Sequence, residues 1–325
     1  AMYDANGWLA KGPAGMEYIP VMVAEHEIPL IVGAHQMGIR DFDTEKAFEA
    51  VYKMQTTIGE QVGGGYAGNR DLETYLKHQY VPYNKGRFSN TLEYSYDDFT
   101  VSQFAKSLGK TKEYNEFIER AYWWENAIDP EIGFARLKHS DGTWYQDFDP
   151  IETGGNHQFA EGNAWQLTFF VPQDIPALAK IIGADEFAKR LDDGFKVSSN
   201  WRYNAPNEKY WDFPVIQGNQ QSMHFSFMFN WVKKPWLTQQ WNRDIEVTLG
   251  NRYGRGNKFI IEAENASFNN KYVQSAILNG KELNNFWFPA RELLKGGSLN
   301  LIMGPEPNKT WGVGKMPESV NPRPE

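Results

Sequence analysis

Cysteine is absent from the 325 residues. That removes a disulfide framework, a thiolate metal site and a cysteine nucleophile together, and it leaves the redox compartment open. Long apolar runs are missing as well: no stretch approaches the roughly 18 residues of a membrane helix, so no membrane span is expected. The opening AMYDANGWLAKGP has neither the charged start nor the apolar middle of a signal peptide and reads as the start of a processed or truncated form. Blocks of like charge are also lacking. A formal charge of -8 spread without runs argues against a nucleic-acid groove or an anionic membrane surface, both of which need clustered Lys and Arg, and favours neutral partners. The 6 histidines show no ligand-like spacing. HEIPL carries Leu30 where a zincin needs its second histidine, and Pro29 interrupts that pattern. GGGYAGN and GNRYGRGNK lack the Lys-Ser/Thr of a P-loop, and no G-x-S-x-G occurs.

What the chain has is apolar and aromatic substance: 41% hydrophobic residues, with 12 Trp and 16 Tyr. Its length suits about two domains with sizeable cores. Rings with a polar handle serve as core, and they also suit half-wet clefts in which the C–H faces of sugars stack.

Up to about residue 245 the pattern is helical. SNTLEYSYDDFTVSQFAKSLGK has Ser89 or Asn90 to cap it, Glu93 in the first turn, apolar residues at helical spacing, and Gly109 after the last of them. TKEYNEFIERAYWWENAI repeats the period at once, which makes a helical hairpin. Further helices are expected at 25–38, 44–56, 70–77, 160–171, 174–194, 220–232 and 236–245. Long aromatic and Gly-rich loops between paired helices suit an (α/α) toroid of hairpins. Near residue 246 the period changes to alternation. EVTLG, KFIIEAEN, KYVQSAILNGKEL and SLNLIMG read as strands of a small antiparallel sheet or sandwich portion, with Asn279-Gly280 as a hairpin turn. The expected organisation is therefore a mainly α, multi-domain chain: a partial toroid over 1–245, a β-strand region over 246–313 and a disordered tail over 314–325.

Carboxylates are the chemistry on offer. In a helix over 160–171, Glu161, Trp165 and Thr168 share one face at i, i+4 and i+7. A glutamate dried beside an indole gains a raised pKa and becomes a candidate general acid, although a first-turn position on the helix dipole opposes this, and a plain first-turn glutamate fits the same pattern. Glu93 and Asp97 stand at i and i+4 beside Tyr94, Asp98 follows, and the set can either hydrogen-bond sugar hydroxyls or form a solvated helix start. A third segment places Asn219, Gln220, Gln221, Ser222 and His224 ahead of an apolar run. Amide and hydroxyl oxygens there are hard ligands of the calcium type, and N-capping with a satisfied core histidine is the alternative.

Taken together these segments resemble the C-terminal half of glycoside hydrolase family 92, the calcium-dependent exo-α-mannosidases. The resemblance runs in the family's order through AEHEIPLIVGAHQMGIRDFD, SNTLEYSYDDFTVSQFAKSLGK, EGNAWQLTFFVPQD, GNQQSMHFSFMFNWVKKPWLTQ and FIIEAENASFNNKYVQSAILNGKEL to MGPEPNKTWG. It implies an (α/α) toroid with β-sandwich structure, and hydrolysis of terminal α-mannosides with inversion, in which an acid protonates the leaving oxygen while a base activates water on the opposite face. The glutamate of the EGNAW motif is the general acid in the family, which falls on Glu161. Glu93, Asp97, Trp165 and His224 become candidate substrate-binding residues, and Asn219 and Gln220 candidate ligands of Ca2+. Partners are then α-mannose-containing glycans, and the setting is extracytoplasmic: periplasmic, surface-bound or secreted.

The chain departs from the pattern in three places. Gln220, Gln221 and Met223 stand where the family's GNEPSHH-like segment has its Glu, Pro and first His. PWLTQQWNRDI runs directly into EVTLGNRYGRGNKF, without the aspartate-bearing segment that supplies the family's base. The N-terminal β-sandwich and first hairpins of the toroid have no counterpart, and an unclosed toroid exposes apolar flanks that favour self-association. Two other readings follow: a non-catalytic carbohydrate-binding remnant, and a base transferred to Asp97 or Asp98, which inversion would place roughly 6.5–9.5 Å from Glu161.

Overall fold

The structure is a computed structural model that describes residues 2–11, 22, 24–62, 65–199, 211–244 and 259–317. The chain forms two compact units, one built chiefly from residues 1–174 together with 208–212, the other from 175–207 and 213–321.

The first unit is helical. Its elements are α1 (Met2–Asn6), α2 (Glu27–Gln36), α3 (Thr44–Thr56), the small hairpin β1 (Glu60–Val62) and β2 (Gly65–Ala67), α4 (Leu72–His78), α5 (Asn90–Ser107) and α6 (Thr111–Arg120). A 3-10 turn at Trp123–Ala127, a two-residue pair β3 (Ile128–Asp129) and β4 (Phe134–Ala135), and α7 (Ala164–Thr168) complete it. Helix α5 is the axis of this unit and packs against α2, α3 and α6. Its burial is wider than the single face its spacing predicts, because Glu93, Ser95, Asp97 and Asp98 are buried along with Leu92, Tyr94, Val101 and Phe104. Gly109 ends the helix as expected, in the left-handed conformation at φ 72. Pro29 lies in the first turn of α2, where a helix needs no donor from it, so it does not break the element. The main core joins Ile28 and Val32 of α2, Phe48, Val51 and Met54 of α3, Val101 and Phe104 of α5 and Phe117 of α6.

The second unit holds α8 (Ile175–Ile182), α9 (Ala184–Ser199), 3-10 turns at Gln220–Ser222 and Phe225–Asn230, and α10 (Pro235–Asp244). Strands β5 (Phe259–Glu264), β6 (Tyr272–Leu278) and β7 (Lys281–Glu282), helix α11 (Ala290–Leu294) and strand β8 (Gly297–Gly304) follow. The one helix expected over 174–194 is two, broken at Gly183 with φ 90. The helix expected over 220–232 is a pair of 3-10 turns. The strands form one sheet in the order β5-β8-β6-β7, mixed rather than antiparallel as expected: β8 runs antiparallel to β6 but parallel to β5, whose chain returns through the intervening β6–β7 hairpin and α11. Asn279 and Gly280 turn the β6–β7 hairpin with φ 49 and 79, the pair of positive values a type I′ turn requires. Helix α10 is tied to the sheet by Gln239, whose Oε1 accepts the Val273 N–H at 2.7 Å.

A mainly helical chain with a small C-terminal sheet is thus what the sequence announced. The strand expected at 246–250 lies outside the described residues, as do residues 318–325 of the expected tail. Among the described residues no helix is long and apolar enough to cross a membrane.

Candidate active site

The EGNAW segment does not fold as the sequence pattern proposes. The helix expected over 160–171 is confined to Ala164–Thr168, and Glu161 precedes it in a turn, with φ 51. Each neighbour has a structural reason for its identity. A Cβ on Gly162 would approach Gln166 Oε1 to 2.5 Å and Leu167 Cδ2 to 2.8 Å, so any larger residue there must displace two buried side chains. Asn163 caps α7: its side chain accepts the Gln166 N–H at 2.9 Å, and its Nδ2 donates to the Trp211 carbonyl at 2.6 Å. Ala164 and Trp165 are buried, the indole 4.8 Å from the Phe169 ring. Phe159 and Ala160 are buried as well.

Glu161 is the exception, an exposed residue in left-handed backbone within a segment that is otherwise inside. Non-glycine residues in that region store roughly 1–2 kcal/mol of strain. Glu161 and Trp165 therefore do not share a helix face, because Glu161 precedes α7 while the indole is buried.

The turn is seated on the start of α5. The Ser89 N–H donates to the Gln158 carbonyl at 2.9 Å, and Ser89 Oγ accepts the Ala160 N–H at 2.9 Å. Ser89 thus spends its hydroxyl on the loop rather than on capping its own helix, contrary to expectation. Gln158 adds a second tie, its Oε1 accepting the Phe88 N–H at 3.0 Å.

One turn further along α5, Glu93 and Asp97 are buried rather than solvated, and both face His26. His26 Nε2 lies 2.9 Å from Glu93 Oε2 and Nδ1 lies 3.0 Å from Asp97 Oδ1. Asp97 Oδ2 also accepts the Glu25 N–H at 3.3 Å. Burial disfavours a charged imidazole, but the charge and hydrogen bond of Asp97, then those of Glu93, hold His26 well above its ordinary pKa. Burial raises Asp97 while His26 pulls it down. The rings of Tyr96 and Phe170 stand 6.2 and 6.1 Å from the imidazole. The sequence offered His26 only as half of a failed zincin motif. Its partners, the i, i+4 acidic pair, lie far along the chain, so no local signal marked it.

Three more carboxylates lie beside this cluster. Glu25 is buried against Lys11 at 3.0 Å, and burial pushes its pKa up to about 7 despite that lysine. Glu27 is pushed up to about 8 by burial and then by the charge of Glu25. Asp98 is gripped by Arg120, with Nε to Oδ2 at 3.1 Å and Nη2 to Oδ1 at 2.8 Å, and accepts the Tyr75 hydroxyl at 2.8 Å. Both Asp97 and Asp98 are fully buried with their oxygens engaged, so neither offers a water the open carboxylate that a transferred base would need.

Asn219, Gln220 and His224 lie in the second unit. Asn219 is buried and its Oδ1 accepts the Gln220 N–H at 3.0 Å, while Gln220 is exposed. His224 is half-buried, with its ring 5.1 Å from Phe225. Buried oxygens of Gln217, Gln221 and Ser222 in this stretch have no hydrogen-bond partner among the described residues, but all are neutral. Calcium prefers a set of 6–8 oxygens that includes carboxylates, and among the described residues no group of three His, Cys, Asp or Glu converges as a metal set. The described donors alone do not make a calcium site.

The profile of the glycosyl hydrolase family 92 catalytic domain matches residues 1–249 and 244–305, and the chain belongs to that family. An uncharacterized secreted glycosidase of Arthroderma benhamiae is 24% identical over 398 aligned residues, which cover 96% of this chain and 49% of the relative. An inverting mannosidase of family GH92 from Bacteroides thetaiotaomicron has a similar structure, with a TM-score of 0.85 at 25% identity over 99% of this chain and 51% of its own. A GH92 α-mannosidase from the same organism gives 0.79 at 26% identity over 92% and 46%. It is also known in complex with mannoimidazole. The chain spans about half the length of these relatives.

Proposed function

We propose that this chain acts on terminal α-mannosides of glycans, with Glu161 as the general acid that protonates the leaving oxygen while water attacks the opposite face with inversion. One observation carries the reading. Every described neighbour of Glu161 in EGNAW is accounted for by packing, capping or close approach, whereas Glu161 is exposed in a backbone conformation that costs stability. A residue kept at such a cost is a functional candidate. The similarity to two solved mannosidases supports the choice of sugar. Drying of the acid would come with the bound glycan, whose departure of the leaving group Glu161 assists by giving up its proton.

The family profile matches in two stretches that overlap at 244–249, which supports the reading that the aspartate-bearing segment is missing there. A chain without a general base would turn over about a hundred- to ten-thousand-fold more slowly than one with it. Asn219 and Gln220 are the candidate holders of calcium, but the described donors do not fit the ion, so no step is assigned to it. An extracytoplasmic setting belongs to the same proposal, supported by the relative named as secreted.

The missing aspartate segment favours a second reading, a carbohydrate-binding remnant that does not hydrolyse. Release of mannose from an α-linked mannobiose, lost in Glu161→Gln, supports the first. Heat of binding for mannobiose with no turnover at high protein concentration supports the second.

A further inference from the structure

A neutral imidazole has one N–H and so can donate to one carboxylate only; its other nitrogen would set a lone pair against the second anion. His26 meets a carboxylate oxygen at both nitrogens, at 2.9 and 3.0 Å. With both carboxylates ionised, only the imidazolium satisfies both contacts. The charge stands at the N-terminus of α2, where the helix dipole opposes a cation, so the carboxylates of α5 must hold it there. Among the described residues, the groups facing it are Glu93, Asp97 and Tyr96 from α5, Glu25 and Glu27 from its own segment with Lys11 paired to Glu25, and the Phe170 ring from the stretch after α7.

Ser89, Glu93 and Asp97 follow one another at i, i+4 and i+8, one stripe of α5 spanning about 12 Å. At one end of the stripe Ser89 holds the backbone of Ala160, the residue before Glu161. Further along, Glu93 and Asp97 hold His26. Without a cation between them the two buried anions repel each other one turn apart, and the stripe loses its order.

We propose that His26 is a positioning residue: as an imidazolium pinned between Glu93 and Asp97 it fixes the stripe of α5 on which the Glu161 turn is seated, and its discharge at alkaline pH releases that turn. The functional half of this rests on Glu161 being the acid; the pin itself does not. The His26 side chain is 41% exposed, so hydroxide and buffer reach it, and the discharge is reversible.

The experiment has three readouts on the intact chain. Ring-nitrogen NMR of His26 should show both N–H groups at pH 8, and in Asp97→Asn the ring should titrate at a lower pH; a single N–H at neutral pH overturns the pin. Hydrogen exchange of the Ala160 amide should speed up by about tenfold in His26→Gln and return in His26→Lys, as the loss and recovery of a charge-assisted anchor require. Unchanged exchange in His26→Gln overturns the link to the turn. Steady-state hydrolysis of mannobiose should show an alkaline fall in kcat that tracks the His26 titration, with KM changing less, and His26→Lys should move that fall upward in pH. A fall that ignores the lysine variant overturns the positioning role. An inert wild-type chain whose His26 and Ala160 signals behave as stated removes the acid role of Glu161 and leaves the pin supported.

Discussion

Ser89 Oγ accepts the backbone N–H of Ala160 at 2.9 Å, joining the start of α5 to the residue that precedes Glu161. Both partners are buried. Ser89→Ala leaves a buried N–H without an acceptor, a loss of about 1–3 kcal/mol. Urea denaturation should show a lower midpoint, and mannoside hydrolysis should fall several-fold with the turn loosened. Stability loss with full activity would mean that the turn is held by other contacts.

Glu161 sits at φ 51, where glycine is at ease. Glu161→Gly should stabilise the chain by about 0.5–1 kcal/mol, the relief of left-handed strain offset in part by the greater freedom of glycine when unfolded. It should also abolish hydrolysis. A variant that is more stable and inactive separates fold from function at one position; thermal denaturation and a mannose assay read the two effects.

Asp98 and Arg120 make a buried two-point ion pair, and Nη2 of Arg120 also donates to the Gln55 carbonyl at 2.9 Å. Arg120→Ala strands the aspartate and should cost about 3–5 kcal/mol. Asp98 is pushed up to about 7 by burial in spite of Arg120 and Tyr75, so part of the loss should be recovered at low pH, where Asp98 takes a proton. Denaturation of this variant at pH 5 and pH 8 checks the sign.

The pH dependence of the parent chain follows from the same groups. Glu25 and Asp98 are raised to about 7 and Glu27 to about 8, all from values near 4, chiefly by burial. A raised folded pKa means that the native chain binds protons more tightly than the unfolded one. Stability is therefore fully present below about pH 4 on this account, and declines as pH rises through 7 and 8. The lifted His26 acts in the same direction above its unfolded value of 6.5. The melting temperature should fall between pH 5 and pH 8.5, with about 2–4 °C lost per kcal/mol for a domain of this size. A rise over that interval would show that the carboxylates are not buried as found.

Local signals made much of the frame legible. The period and end glycine of 90–107 and the Asn-Gly hairpin after β6 are short-range features, and they formed where the sequence places them. Helix breaks were less legible, since Gly183 and the 3-10 turns after Asn219 depend on packing rather than period. At the site, Glu161 was marked by its motif, but the turn that carries it was hidden. Its left-handed backbone, the demand of Gln166 on Gly162, and the diversion of Ser89 are tertiary effects. His26 was invisible for the same reason, because its partners lie 67 and 71 residues away.

Leaving-group dependence tests the acid role most directly. A substrate whose leaving group needs no proton, such as a dinitrophenyl α-mannoside, bypasses a general acid, whereas mannobiose does not. Glu161→Gln should retain hydrolysis of the activated mannoside within about tenfold and lose mannobiose hydrolysis by about a hundredfold or more. Equal losses on the two substrates, or none on either, would contradict the account.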